Sequence, residues 1–444
     1  MDFPQNEIRL LVANKPTFYV KLDVESAKKA DELLEDNHRS NHIFFNNEGF
    51  HNHIVHHILS LYALGASPAA LESHYAHNKA YQRPPFKVEE RVVQDMSEPE
   101  QFIQFLGQEK YYHDFVVFFE KEMEKKGWQQ VLQDYLFSED ERSQQLLVRT
   151  FAGFIHPLIH LGFGIEFGQP VIIAEALAQA AVHDEWIGKY LLPAEKAAKV
   201  NPKPKSLFQL LQDTYSDKKI QDSTRWKDPN KVRDGILIRA PDEMIALASQ
   251  YIVKEAELEE KTAEMINITA YFTGAAQRPP HTEKVDFFLM HSLNSSIFFS
   301  AFLKADWLAT AHKIRLLEWK GRMDLALYAS RGNARLDIRE ISEYRPRGGL
   351  SSKPEPEQWQ SCFDAAVRFE DDGHFCKLIR AIANGKAACE KFQDGKDFPI
   401  KSDMWIKLAQ LATDSVSVDG PTWVRGAGFA DAWKDVPLRE IGRL

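Results

Sequence analysis

The segment HNHIVHH, from His51 to His57, puts four imidazoles into seven residues and runs directly into the apolar stretch ILSLYALGA. A second station, HPLIH, sets His156 and His160 four residues apart, one above the other on a helix, among Ile155, Leu158, Ile159 and Leu161. His183 closes the small-residue run AEALAQAAV, and His291 stands alone in FFLMHSLNSSIFF. Singly, each reads as a core histidine bonded to a backbone carbonyl. Together they read differently, because a buried imidazole without a partner costs about 1–3 kcal/mol, and one shared metal ion would satisfy several at once. Histidine ligation without thiolates suits iron, zinc, copper or nickel and disfavours calcium and magnesium.

On a helical wheel His53, His57, Leu61 and Leu64 share one face, while His56 lies on the flank with Ser60 and Ala63; this favours His57 over His56 as the core-directed imidazole. A different donor is Lys377, inside the apolar segment GHFCKLIRAIAN. Either its ammonium snorkels to water, or burial lowers its pKa and the neutral amine takes up carbon dioxide as an anionic carbamate ligand. Other chemistries lack their residues. HPLIH has no Glu for a zinc peptidase, and the His183/Glu185 pair would point about 200° apart on a helix. No GxGxxG follows a strand, and no GxSxG elbow is present.

The elements that must position these groups read as helices, with apolar residues at three- and four-residue spacing between Pro, Gly and Asn breaks. The pattern predicts helices over 23–35, 98–126 (Phe102, Phe105, Tyr112 and Phe115 inward), 139–163 (ending at Gly162 and Gly164), 171–191, 233–272, 284–317 and 373–384. Pro157 should kink the third of these. The expected fold class is all-α, one large helical-bundle domain over residues 1–444 with long connecting loops and possible halves at 1–200 and 201–444. A net charge of -9 without a basic run gives no footprint for nucleic acid or an anionic membrane. No signal or spanning segment is visible, so the expectation is a soluble, intracellular protein. The three cysteines, Cys362, Cys376 and Cys389, are too far apart for a metal knuckle and are expected as buried thiols.

The blocks NHIVHHILSLYALGAS, HPLIHLGFGIEF, ALAQAAVHDEW and FFLMHSLNSS, in this order, resemble the questin oxidase-like family of fungal polyketide pathways over nearly the whole chain. Closest in kind are its anthraquinone ring-opening members, in which a non-haem iron is held by four histidines and a carboxylated lysine. The resemblance implies His57, His156 or His160 or both, and His291 as histidine ligands, with Lys377 carboxylated and with His53 and His183 in reserve. It further implies Fe(2+) as cofactor, dioxygen as co-substrate, a small aromatic polyketide as substrate, and NADPH only through a separate reductase. His183, with Asp184 beside it, would serve as acid/base or orient a ligand, and Phe287, Phe288, Met290, Phe298 and Phe299 would offer flat apolar walls. Two other readings stay open: an NADPH-dependent Baeyer–Villiger monooxygenase, and a metal-free helical protein that binds a hydrophobic polyketide.

Overall fold

The computed structural model describes residues 7–439. It contains 22 α-helices, and among the described residues the only β pairing is three isolated bridges, so the chain is all-α as expected. The chain forms two compact units. The first comprises residues 7–188, 305–307 and 367–377, and the second comprises 189–304, 308–366 and 378–439.

The first unit carries α1 (Val24–Ser40), α2 (Ile54–Ala63), α3 (Pro68–Lys79), α4 (Glu90–Asp95), α5 (Pro99–Phe105), α6 (Tyr112–Lys126), α7 (Trp128–Leu132), α8 (Glu141–Thr150), α9 (Ala152–Phe167) and α10 (Pro170–Val182). Helix starts follow local chemistry. The Asp23 carboxylate accepts from Ser26 N at 3.0 Å, Ser67 caps α3 ahead of Pro68, and Asp140 accepts from Ser143 N at 2.7 Å. The core is unusual in that α2 is buried on every side, as is α10 from Val171 to Val182, and α9 nearly so. An all-round apolar helix needs neighbours on all sides, and α1, α3, α6 and α8 supply them.

In the second unit the helix Leu258–Ala275 packs on Phe287–Lys304 and on Thr310–Ser330. Its core holds Trp319, Trp405 and Trp433, all essentially inaccessible. Cys362, Cys376 and Cys389 are free and buried, as the composition suggested.

Several expected helices are divided, each for a local reason. The stretch 98–126 breaks where Leu106 turns extended and Gly107 N donates instead to Ala181 O at 2.8 Å; Phe102, Tyr112 and Phe115 are buried and Phe105 only partly. The stretch 171–191 ends at Val182, because His183 is extended. The stretches 233–272 and 284–317 break before Leu258 and after Lys304. Gly162 and Gly164 do not end α9, which continues to Phe167. Gly164 is instead a point of close approach to α10: a Cβ there would lie 2.7 Å from Ile173 Cγ1 and 2.9 Å from Ile173 N. No single helix among the described residues is long and apolar enough to cross a membrane, and the apolar pair α8–α9 is bent by 96°.

Gly164→Ala should therefore destabilise the first unit by about 1–3 kcal/mol, the usual cost of overpacking. A urea melt checks this, with a lower midpoint and an unchanged slope expected.

Candidate metal centre

His51 and His53 lie in the connection between α1 and α2. A single antiparallel bridge, Phe44 with His51, pins that connection, helped by Asn52 N donating to Ile43 O at 2.7 Å. Asn52 Oδ1 then accepts from Ile54 N at 2.9 Å and starts α2. His53 is thus the cap, with φ -101° and ψ 4°, and not a member of the helix. The wheel relation between His53 and His57 does not apply, and a helix buried on all faces has no single core-directed stripe to choose between His56 and His57.

The second station depends on three consecutive left-handed residues, Gly153 (φ 54°), Phe154 (φ 54°) and Ile155 (φ 62°), between α8 and the regular part of α9. Positive φ is costly for Phe and more so for β-branched Ile. Gly153 is required for a further reason: a Cβ there would stand 2.5 Å from His183 Cε1 and 3.1 Å from His51 Nε2. Regular helix begins at His156, so Pro157 falls in a first turn, where its missing N–H removes no hydrogen bond. The expected kink is therefore a reversal that precedes the proline.

Of the third station, sequence reasoning singled out Lys377 but not Asp371, Asp372 or His374. Asp371 to Lys377 lead into the helix His374–Cys389, whose first turn belongs to the first unit. Gly373 (φ 89°) lies so near His57 that a Cβ would approach His57 Cβ to 2.7 Å. Asp371 takes Gly373 N at 2.7 Å and Phe375 N at 2.9 Å. Asp372 divides its carboxylate between two imidazoles: Oδ2 lies 2.9 Å from His53 Nδ1, and Oδ1 lies 2.5 Å from His374 Nδ1. Burial alone would raise the Asp372 pKa, but the two imidazoles outweigh it and hold the carboxyl well below its ordinary value. Asp371 goes the other way, up to about 7, through burial and the charge of Asp372. An ionised carboxylate only accepts, so both histidines carry their proton on Nδ1, and Nε2 is the acceptor nitrogen of each neutral ring.

His156 arrives in the same state by another route, since its Nδ1 donates to Gly153 O at 2.6 Å. Its Nε2 stands 2.9 Å from His53 Nε2. Two lone pairs facing each other at that distance repel unless a cation lies between them. One ring nitrogen from each of His53, His156 and His374 can be chosen so that all lie within 4.8 Å of one another, and all three residues are buried. This donor set fits a divalent transition metal, with Asp372 and the Gly153 carbonyl fixing the tautomers, as partners of metal-bound histidines do.

Lys377 follows His374 by three residues on the same helix. It is 4% exposed, and its Nζ is fully buried without a hydrogen-bond partner, so the snorkelling reading is excluded. Burial lowers its pKa, with Asp372 opposing. The shift is toward the neutral amine, the form that adds carbon dioxide. A carbamate would supply the anionic oxygen that three neutral imidazoles lack.

The remaining candidates lie as follows. His57 lies with its ring against His74 at 4.8 Å between centroids, both its ring nitrogens buried without a hydrogen-bond partner. His160 is hydrogen-bonded through both nitrogens, to His56 Nε2 at 3.2 Å and Glu175 Oε2 at 2.9 Å. His183 pairs its Nε2 with His51 Nε2 at 2.9 Å, and His51 stacks on His156 with centroids 3.9 Å apart. Burial, reinforced by Arg149, lowers the His183 pKa to about 4; Asp184 beside it is exposed. His291 belongs to the second unit, where its Nδ1 donates to Phe287 O at 2.5 Å. The geometry favours His53 and His374 over His57 and His160 as donors. His374 had one legible signal, the DDGH run three residues before Lys377.

The questin oxidase-like family model matches residues 50–382, a range that includes every residue of the cluster. Among curated proteins, a Baeyer–Villiger monooxygenase of Cryptosporiopsis sp. is 40% identical, with 95% of each chain covered. A Baeyer–Villiger oxidase of Pestalotiopsis fici is 41% identical over 93% of this chain and 94% of its own. The questin oxidase of Aspergillus fumigatus is 38% identical over 92% of this chain and 93% of its own.

In the metal-free protein the buried histidines make stability depend on pH. Burial lowers His374 to about 3 and His183 to about 4, against 6.5 in the unfolded chain. The unfolded state therefore binds more protons between these limits, and stability falls as pH drops through 6.5 toward 3. Thermal melts of chelator-treated protein at pH 7.5, 6 and 5 should show Tm falling along that series.

Proposed function

The chain belongs to the questin oxidase-like family, and from that premise we propose that it is an iron(II)-dependent oxidoreductase that opens the central ring of an anthraquinone, or of its hydroquinone, in fungal polyketide biosynthesis. The names of the relatives support an oxidase and, through questin, a polycyclic aromatic substrate. One observation carries the metal reading: one ring nitrogen from each of three buried imidazoles, His53, His156 and His374, lies within 4.8 Å of the others, and Lys377, on the same helix as His374, has a buried amine with no hydrogen-bond partner.

His53, His156 and His374 hold the metal, with Lys377 as its carbamate. Bound iron(II) supplies the one-electron chemistry that lets triplet dioxygen react with a singlet aromatic. The chain's own groups do the rest. Asp372 keeps two imidazoles aimed and balances part of the metal's charge. The Lys377 amine adds to carbon dioxide, forming an N–C bond, opening one C=O bond and releasing an N–H proton. His183, lowered to about 4, is neutral at physiological pH and hydrogen-bonded to His51, a state suited to orienting a substrate phenol by accepting its hydrogen bond rather than its proton. The exposed carboxylate of Asp184 holds negative charge beside it.

The names of the relatives favour a second reading, insertion of one oxygen atom by a Baeyer–Villiger monooxygenase. Oxygen-18 labelling separates the two: ring opening by a dioxygenase puts two labelled atoms into the product, and a monooxygenase puts in one.

Protein purified without chelators should carry close to one iron per chain. Lys377→Ala and His53→Ala should each lower iron content and turnover by at least about tenfold, and carbon-13 bicarbonate should give wild type a carbamate resonance that Lys377→Ala lacks. Absence of iron in wild type, with none taken up from anaerobic iron(II), would end the iron reading.

A further inference from the structure

A second set of buried groups runs from the cluster toward solvent. His56 Nε2 meets His160 Nδ1 at 3.2 Å, and His160 Nε2 meets Glu175 Oε2 at 2.9 Å. The other oxygen of Glu175 meets His38 Nδ1 at 2.8 Å, and His38 Nε2 meets Glu120 Oε1 at 3.1 Å. The five residues come from α2, α9, α10, α1 and α6. Side-chain exposure rises along the chain, from 1% at His160 and 4% at Glu175 to 14% at His38 and 19% at Glu120.

The protons along this chain have a definite order. His38 lies between two carboxylates; burial alone would lower its pKa, but Glu120 and Glu175 raise it to about 10, so it is an imidazolium. For Glu175 burial opposes ionisation, and the bonds from His160 and His38 overcome it, bringing the carboxyl down to about 2. With its charge matched by His38, Glu175 accepts from His160 Nε2–H. With Nε2–H committed to Glu175, the other ring nitrogen of His160, Nδ1, is the acceptor for His56 Nε2–H. That leaves His56 Nδ1 as a bare lone pair, and this atom is buried with no partner. The reverse polarity would bury an unpaired N–H donor, which proteins tolerate less well than an unpaired acceptor. The His56 ring is 5.6 Å from that of His53 and 6.5 Å from that of His156, centroid to centroid.

We propose that Glu175, bonded to His38, is a positioning residue that acts through His160 to fix the tautomer of His56, leaving its Nδ1 for the metal centre. The proposal rests on the metal-centre reading above for its purpose, but not for its geometry.

The test uses full-length, metal-free protein labelled with nitrogen-15 histidine, with zinc(II) as a redox-silent probe. In wild type, the ring signals lost in His56→Asn should report a single tautomer, protonated at Nε2. Glu175→Leu removes the acceptor at similar volume; it should give mixed tautomers at His56 and weaken zinc binding, measured against a chromophoric chelator, by about tenfold or more. Glu175→Gln, whose amide oxygen still accepts from His160, should restore both readouts most of the way, which a purely structural role for Glu175 would not predict. Should Glu175→Leu fail to fold, His38→Ala near the surface decides, because loss of the imidazolium frees Glu175 to protonate and again mixes the His56 tautomers. An Nδ1-protonated His56 in wild type, or a His56 spectrum unchanged in whichever of these two variants folds, overturns the proposal. If the tautomer pattern holds but wild type binds neither zinc nor iron(II), the metal-centre reading fails while the relay stands.

Discussion

The candidate site depends on a constraint that acts on protons. Imidazole has two nitrogens and, when neutral, one hydrogen, so whatever takes that hydrogen decides which nitrogen is left with a lone pair. In the first unit the acceptors are fixed by the fold. Asp372 takes the Nδ1 protons of His53 and His374, and the Gly153 carbonyl takes that of His156. The bare nitrogens then converge. Burial disfavours protonation of the rings of His53, His56 and His374, so the cluster is a donor set suited to a metal cation.

The fold around the cluster can be understood as what this constraint requires. Helices α2, α9 and α10 are buried on nearly all sides, so a polar side chain on any of them must find its partner inside the protein. The left-handed residues 153–155 store backbone strain directly before His156, and they also provide the carbonyl that sets its tautomer. Gly153 and Gly373 fall where backbone must pass within contact distance of a histidine ring. These costs converge on one place, the pattern expected when packing is subordinate to a site.

Lys377 extends the same logic to charge. A desolvated amine without an acceptor is costly, and carboxylation, as proposed, would turn that cost into an anionic ligand. The family relation and the names of the relatives are independent of this geometry, and they support an oxidoreductase.

The sequence by itself determined the helical class, the family and the fact that imidazoles enter apolar segments, because helical periodicity and the order of motifs are local properties of the chain. It also singled out Lys377, since a lysine among Phe, Leu and Ile is conspicuous. What it left undecided was which histidines meet. His53 lies outside α2, so a wheel could not place it, and α2 is buried on all faces, so no stripe separated His56 from His57. The reversal at residues 153–155 rotates His156 and His160 in a way that periodicity does not encode. His374 and Asp372 become significant only when a segment more than 300 residues downstream of His53 returns to it. Tautomers and lone-pair directions are set by partners distant in sequence, and only the tertiary structure brings those partners within hydrogen-bond reach.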